Sequence, residues 1–227
     1  AVNLLNPAAY SAVRPKSFLF DFGLEGQCFY NSQKYYGQTL NTSYYTVNFH
    51  DIAFQLPIAK HLGLGFSLTP YSSVGYRMKQ EVDDDEIWGN IGRVQYQWGG
   101  DGDVTEVKLG LGWEIFRGFS IGIAAQYYWG DIQRIYKTAI LENITGGGLI
   151  ADATGTETYS VSRFKGQFGV QWSPISNRRR ILTIGATYDI GGDLNPNVTT
   201  KVQTGDIFNT VAMDMGNRLG LKLPQQV

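Results

Sequence analysis

Apolar and polar positions alternate with a period of two along most of the chain, and no sustained helical repeat competes with it. From 104 to 116 one face reads Val104, Glu106, Lys108, Gly110, Gly112, Glu114 and Phe116; the other reads Thr105, Val107, Leu109, Leu111, Trp113 and Ile115. Arg117-Gly118 supplies a tight turn, after which Phe119, Ile121, Ile123, Ala125, Tyr127 and Trp129 oppose Ser120, Gly122, Ala124, Gln126, Tyr128 and Gly130. The same alternation runs through Phe18 to Gln27, Leu62 to Thr69, Arg163 to Trp172 and Leu182 to Asp189. With strands near 44–58 and 88–98 the pattern predicts about eight, many of them near the length that crosses a bilayer when tilted.

The predicted connections also alternate. Short links at Pro57 to His61, Arg117 to Gly118 and Ser173 to Arg179 take turns with long polar ones near 32–43, 79–87, 133–157 and 192–206. Short turns on one side and long loops on the other are the organisation of an outer-membrane barrel, and the expected fold is an all-β, antiparallel transmembrane β-barrel. Aromatics towards the strand ends of the apolar face, among them Phe18, Tyr30, Trp113, Trp129, Trp172 and Tyr188, fit interfacial girdles.

Alternation alone does not say whether the apolar face looks into a core or out to lipid, and composition bears on that choice. Of the 227 residues only 17% are charged, against roughly a quarter in soluble domains, while 43% are hydrophobic and 14% aromatic. The polar face uses Gly, Ser, Thr and Gln with scattered charges, which suits a crowded lumen better than a water-facing surface dense in Lys and Glu. A soluble, glycan-binding β-sandwich with exposed tryptophans is the alternative. Lys plus Arg (19) nearly balance Asp plus Glu (20), which leaves no electrostatic footprint for nucleic acid. The single Cys28 excludes an internal disulfide framework. No apolar run is long enough for a membrane-spanning helix.

Candidate chemistry is sparse. His50 and Asp51 are adjacent in a predicted strand, so alternation sends their side chains to opposite faces; His61 sits beside Lys60 in a turn where solvation is expected. No local signature pairs a nucleophile with a base, so neither an enzyme nor a catalytic, cofactor or metal site is expected. The acidic run Glu81, Asp83, Asp84, Asp85 and Glu86 lacks the ligand spacing of a calcium loop. The interior face is expected to carry Glu25, Arg93, Glu106, Lys108, Glu114, Gln126, Arg163 and Lys165, whose charges either form a cross-strand ladder or line a permeation path. Phe29, Phe116 and Tyr128 on that face are where a hydrophobic ligand would lodge.

The segment Asn6-Pro7-Ala8-Ala9-Tyr10-Ser11, followed by Phe18 to Gly23, resembles the start of the FadL-like outer-membrane hydrocarbon transporters, with Asn6, Pro7 and Ala8 similar to that family's N-terminal hatch. Ala53 to Pro57, Gly65 to Ser72, Val74 to Tyr76, Leu109 to Trp113 and Leu223 to Gln226 resemble an uncharacterised Gram-negative branch of the same family. The resemblance implies a hatch-like segment at 1–16 and barrel strands over 17–227. It also implies a barrel of about 14 strands, of which 8 or 9 lie in this chain and the rest beyond 227. It further implies a place in the bacterial outer membrane, among lipid and lipopolysaccharide, and passive transport of small hydrophobic molecules such as long-chain fatty acids. The competing expectation is a non-catalytic accessory barrel within an outer-membrane assembly or secretion complex, in contact with other outer-membrane proteins.

Overall fold

The computed structural model describes residues 2–35, 37–82, 84–90, 92–143, 152–176, 180–194, 196–204, 207–211 and 221–222. A short 3-10 helix, Pro7–Ala12, comes first. The strands that follow are β1 (Leu19–Tyr35), β2 (Gln38–Ala59), β3 (Leu62–Glu81), β4 (Gly92–Phe116), β5 (Phe119–Asn143), β6 (Ala153–Ser176), β7 (Ile181–Asp189), β8 (Asp193–Leu194), β9 (Asn197–Thr204), β10 (Ile207–Val211) and β11 (Leu221–Lys222). One helical turn, α1 (Asp85–Asn90), interrupts the series between β3 and β4. The all-β, antiparallel expectation holds: nine strands form one sheet in the order β1-β2-β3-β4-β5-β6-β9-β10, with β7 also paired to β6. Among the described residues the sheet is not closed, since β1 pairs only with β2. The pair β8 and β11 stands apart.

The strands are much longer than the apolar alternation alone indicates. β4 and β5 have 25 residues each and β6 has 24. At a rise of about 3.3 Å per residue, 25 residues extend about 80 Å, against about 30 Å of bilayer hydrocarbon. The long polar link expected at 32–43 is instead strand on both sides of a turn at Gly37, which takes φ 77°. Most of 133–157 is likewise β5 and β6, and 192–206 contains β8 and β9. The residues concerned are rich in Thr, Tyr, Ser and Gln. Thr and Tyr fit a pleated ladder as well as the aliphatics do, but without an apolar face they leave no alternating signal.

The two faces differ sharply in the half of the sheet next to the short turns. On the apolar face Leu109 is 50% exposed and Ile123 54%, and Phe20, Phe54, Trp113, Phe164, Trp172 and Ile184 are exposed with them. On the opposite face Ala53, Gln55, Ser67, Lys108, Ala124, Gln126 and Gln167 are buried. A band of exposed large apolar side chains on β1, β2 and β4 to β7, continued on β3 by the half-buried Leu64, Phe66 and Leu68, has no stable place in water, where contiguous apolar patches stay small; it fits hydrocarbon.

Candidate functional site: the N-terminal segment on its glycine bed

What buries the polar face is the chain's own N-terminal segment. Asn6 caps the 3-10 helix, its Oδ1 accepting from the Ala8 N–H at 2.9 Å, and Pro7 presets the first turn. The helix lies across β2 to β6, with Pro7, Ala8, Ala9 and Tyr10 buried. Six glycines of the same sheet face make this approach feasible: Gly63 and Gly65 on β3, Gly110 and Gly112 on β4, Gly122 on β5 and Gly169 on β6. A Cβ on Gly110 would stand 2.8 Å from the Tyr10 ring, and one on Gly169 would stand 2.8 Å from Pro7 Cδ. At Gly63, Gly112 and Gly122 it would meet the segment's backbone. Tyr10, 1% exposed, is among the most deeply buried large side chains described, its ring held over Gly65 and Gly110.

Polar contacts fix the segment in register. Asn6 Nδ2 donates to the Val170 carbonyl at 3.0 Å, Gln55 Nε2 to the Ala9 carbonyl at 3.0 Å, and Lys108 Nζ to the Leu4 carbonyl at 2.9 Å. Ser11 Oγ lies 2.8 Å from Ser120 Oγ. Each bond ties a loop carbonyl or side chain to a different strand, so the segment cannot slide without breaking several at once.

Beside this seat sits a cluster containing several of the expected interior residues. Lys108 Nζ lies 3.5 Å from Glu106, Glu106 pairs in register with Tyr128, and Lys165 Nζ sits 5.6 Å from the Tyr128 ring centroid. Tyr71 packs edge-on against Tyr128 at 4.9 Å. Gln126 is buried in register between Lys108 and Lys165, and Arg163 pairs in register with Tyr128. The other expected interior residues stand elsewhere. Arg93 lies far along β4 from Glu106 and on the opposite face, where it bonds Glu81 at 3.1 Å and stacks over Trp88. Phe29 stacks on Tyr44 near the far end of the β1–β2 hairpin, Phe116 stacks on Phe119 at the β4–β5 turn, and Glu25 pairs in register with Asn48.

His50 departs from expectation, whereas His61 is exposed in its turn as expected. A bulge shifts the β1–β2 register between Gly23 and Leu24, so alternation fails there and His50 Nδ1 comes within 2.8 Å of Asp51 Oδ1. His61, with φ 67°, places its Nδ1 2.7 Å from Glu114 Oε2, while Glu114 Oε1 accepts the Gly118 N–H at 3.0 Å. Glu114 therefore pins the β2–β3 turn to the β4–β5 turn. Among the described residues no group of three or more His, Cys, Asp or Glu side chains is arranged to hold a metal ion. Asp83 of the acidic run and Arg178 and Arg179 of the Ser173–Arg179 turn lie outside the described residues.

An antiparallel sheet with a lipid-compatible outer face, and an inner face that seats its own N-terminal segment, is a wall of the outer-membrane barrel type. The chain belongs to the BamG family, whose profile matches residues 1–226. This corrects the FadL-like resemblance: the segments that carry it are structural ones, a capped N-terminal turn and glycine-spaced strands, which any barrel with a seated N-terminal segment requires. With that resemblance goes the basis for hydrocarbon transport. Neither a curated protein nor a solved structure matches the chain. The family places the chain at the outer membrane, in association with other outer-membrane proteins.

Proposed function

We propose that this protein is a non-catalytic accessory subunit of the machinery that assembles outer-membrane β-barrels, embedded in the membrane by the apolar face of β1 to β7. The family match over residues 1–226 carries the reading, because the family's name ties it to the barrel-assembly complex. The exposed apolar band supports an integral position with lipid and lipopolysaccharide around it. The seated N-terminal segment supports a structural role: it covers part of the polar face, over β2 to β6, with backbone and a buried tyrosine.

Affinity-tagged protein, extracted from outer membranes in mild detergent, is expected to co-purify with the barrel-inserting subunit of the assembly machinery at a fixed ratio. Recovery as a lone species from membranes that contain that machinery would overturn the reading.

A further inference from the structure

Above the apolar band, the face that seats the N-terminal segment changes character. Tyr96 and Trp98 on β4 share a face with Lys108 and Gly110, since all are even-numbered positions of one strand. The register carries this row across the sheet: Tyr96 pairs with Thr138, Trp98 with Tyr136, Tyr136 with Gly155 and Gly155 with Val202. A Cβ built on Gly155 would meet only the Tyr136 carbonyl, at 4.0 Å, so the centre of the row is an open floor. The result is a depression of about 260 Å³, open on one side, with three aromatic rings on its flank. Among the described residues the Tyr96, Tyr136 and Thr138 hydroxyls and the Trp98 Nε1–H have no hydrogen-bond partner.

We infer that this depression binds one neutral hexopyranose ring. A pyranose has a face of C–H groups, which packs on the electron-rich face of an aromatic ring, and a rim of hydroxyls that both donate and accept. The Tyr96 and Trp98 rings, with centroids 6.0 Å apart, offer a surface for the first. The Tyr136 and Thr138 hydroxyls and the Trp98 N–H offer partners for the second. An apolar occupant, whether a lipid tail or a hydrophobic side chain, would cut these groups off from water without replacing their bonds. A charged ligand finds no spare counter-charge, because Lys137 pairs with Asp152 at 3.3 Å. Arg134 and Glu157, in register one step along the same face, are both engaged by Tyr159: Arg134 lies over its ring and Glu157 accepts its hydroxyl at 2.9 Å. The volume is below the roughly 300–1,000 Å³ of pockets that enclose drug-sized ligands, so it seats one ring. A strand-interior glycine at the floor is the residue that close approach of such a ring requires.

Sugar binding here needs no partner protein and is tested apart from the accessory-subunit reading. The full chain, solubilised in an amine-oxide detergent that carries no sugar, is labelled with 5-fluorotryptophan. Trp98→Phe assigns the Trp98 resonance, and those of Trp88, Trp113, Trp129 and Trp172 report the fold. Methyl glucoside, methyl mannoside and methyl galactoside are the probes, and at least one is expected to shift the Trp98 resonance saturably. Cyclohexanol, a ring with a single hydroxyl, and N-acetyl-tryptophan amide are expected not to. Gly155→Leu, which fills the floor, should abolish the shift. The double variant Tyr136→Phe, Thr138→Val, which keeps the ring and the shape, should weaken the apparent affinity about tenfold. Saccharide released from the lipopolysaccharide of the same membrane separates two sources of such a ring: it displaces the glycoside if the ligand is a lipopolysaccharide sugar and leaves it bound if the ligand is a soluble one. No saturable shift from any glycoside, an equal shift from cyclohexanol or the tryptophan amide, a shift that survives Gly155→Leu in folded protein, or an affinity undiminished in the double variant would overturn the assignment.

Discussion

The seat of the N-terminal segment can be tested through Tyr10. Truncating it to alanine removes a ring that is 1% exposed and lies over Gly65 and Gly110, where there is no side chain to collapse into the space. Aromatic-to-alanine changes at such sites cost about 3–5 kcal/mol. Here the loss falls on docking of the segment and not on the strand ladders. At about 1.4 kcal/mol per factor of ten, the undocked fraction should rise by about 10² to 10³-fold or somewhat more. Ser120 is the reporter. It is buried and its hydroxyl meets Ser11 beneath the segment, so in a Cys28→Ser background Ser120→Cys is shielded from a water-soluble maleimide until the segment lifts. Tyr10→Ala is expected to accelerate labelling by that factor, and Tyr10→Phe, which keeps the ring, to stay close to the parent. Equal labelling rates in the parent and in Tyr10→Ala, both as folded protein, would refute the argument that the ring anchors the segment.

Three further outcomes follow from the same structure. Leu109→Arg puts a charge on the 50%-exposed apolar face and should cost about 2–4 kcal/mol of insertion, seen as loss of heat-modifiable gel mobility; the same change at exposed Asp101, farther along the same face, should be tolerated. Gly102 takes φ 127°, and a Cβ there would fall on the Asp131 carbonyl, so Gly102→Ala should lower the urea midpoint by an amount equivalent to about 1–3 kcal/mol, whereas Gly99→Ala should not. Asp152 is held below its ordinary range first by the Ile140 N–H it accepts and then by Lys137. A lowered carboxyl stabilises the fold above its unfolded value and loses that contribution as pH falls. Urea stability of wild type should therefore exceed that of Asp152→Asn near neutrality, with the two converging below the usual aspartate range.

Period-two alternation was enough to place the half of each strand whose two faces meet different media, from Leu62 to Leu68 and from Val107 to Trp129. It fell short where both faces meet polar surroundings: Gln38 to Ser43 and Gln133 to Asn143 are strand because their ladders pair, and pairing partners are not visible along one chain. The seat was half visible. Asn6-Pro7 announces a capped turn, and six glycines fall on one face of four successive strands, a signal that something approaches that face closely. Their common height became apparent only with the register. His50 was misplaced for a local reason, a bulge opposite Gly23, which leaves no mark in the hydropathy pattern.

The excess length of β4 and β5 also has a consequence for the cell surface. Strands in such walls tilt by about 45°, so 25 residues climb about 55 Å, of which the apolar band takes about 25 Å. On the proposed embedding, and if the short turns face the periplasm as in bacterial barrels generally, roughly 30 Å of hydrogen-bonded sheet would stand clear of the lipid, among the inner sugars of lipopolysaccharide. Tyr30, Tyr45 and Met78 are exposed on this raised part of the sheet, so reagents small enough to pass between those sugars would find them within reach.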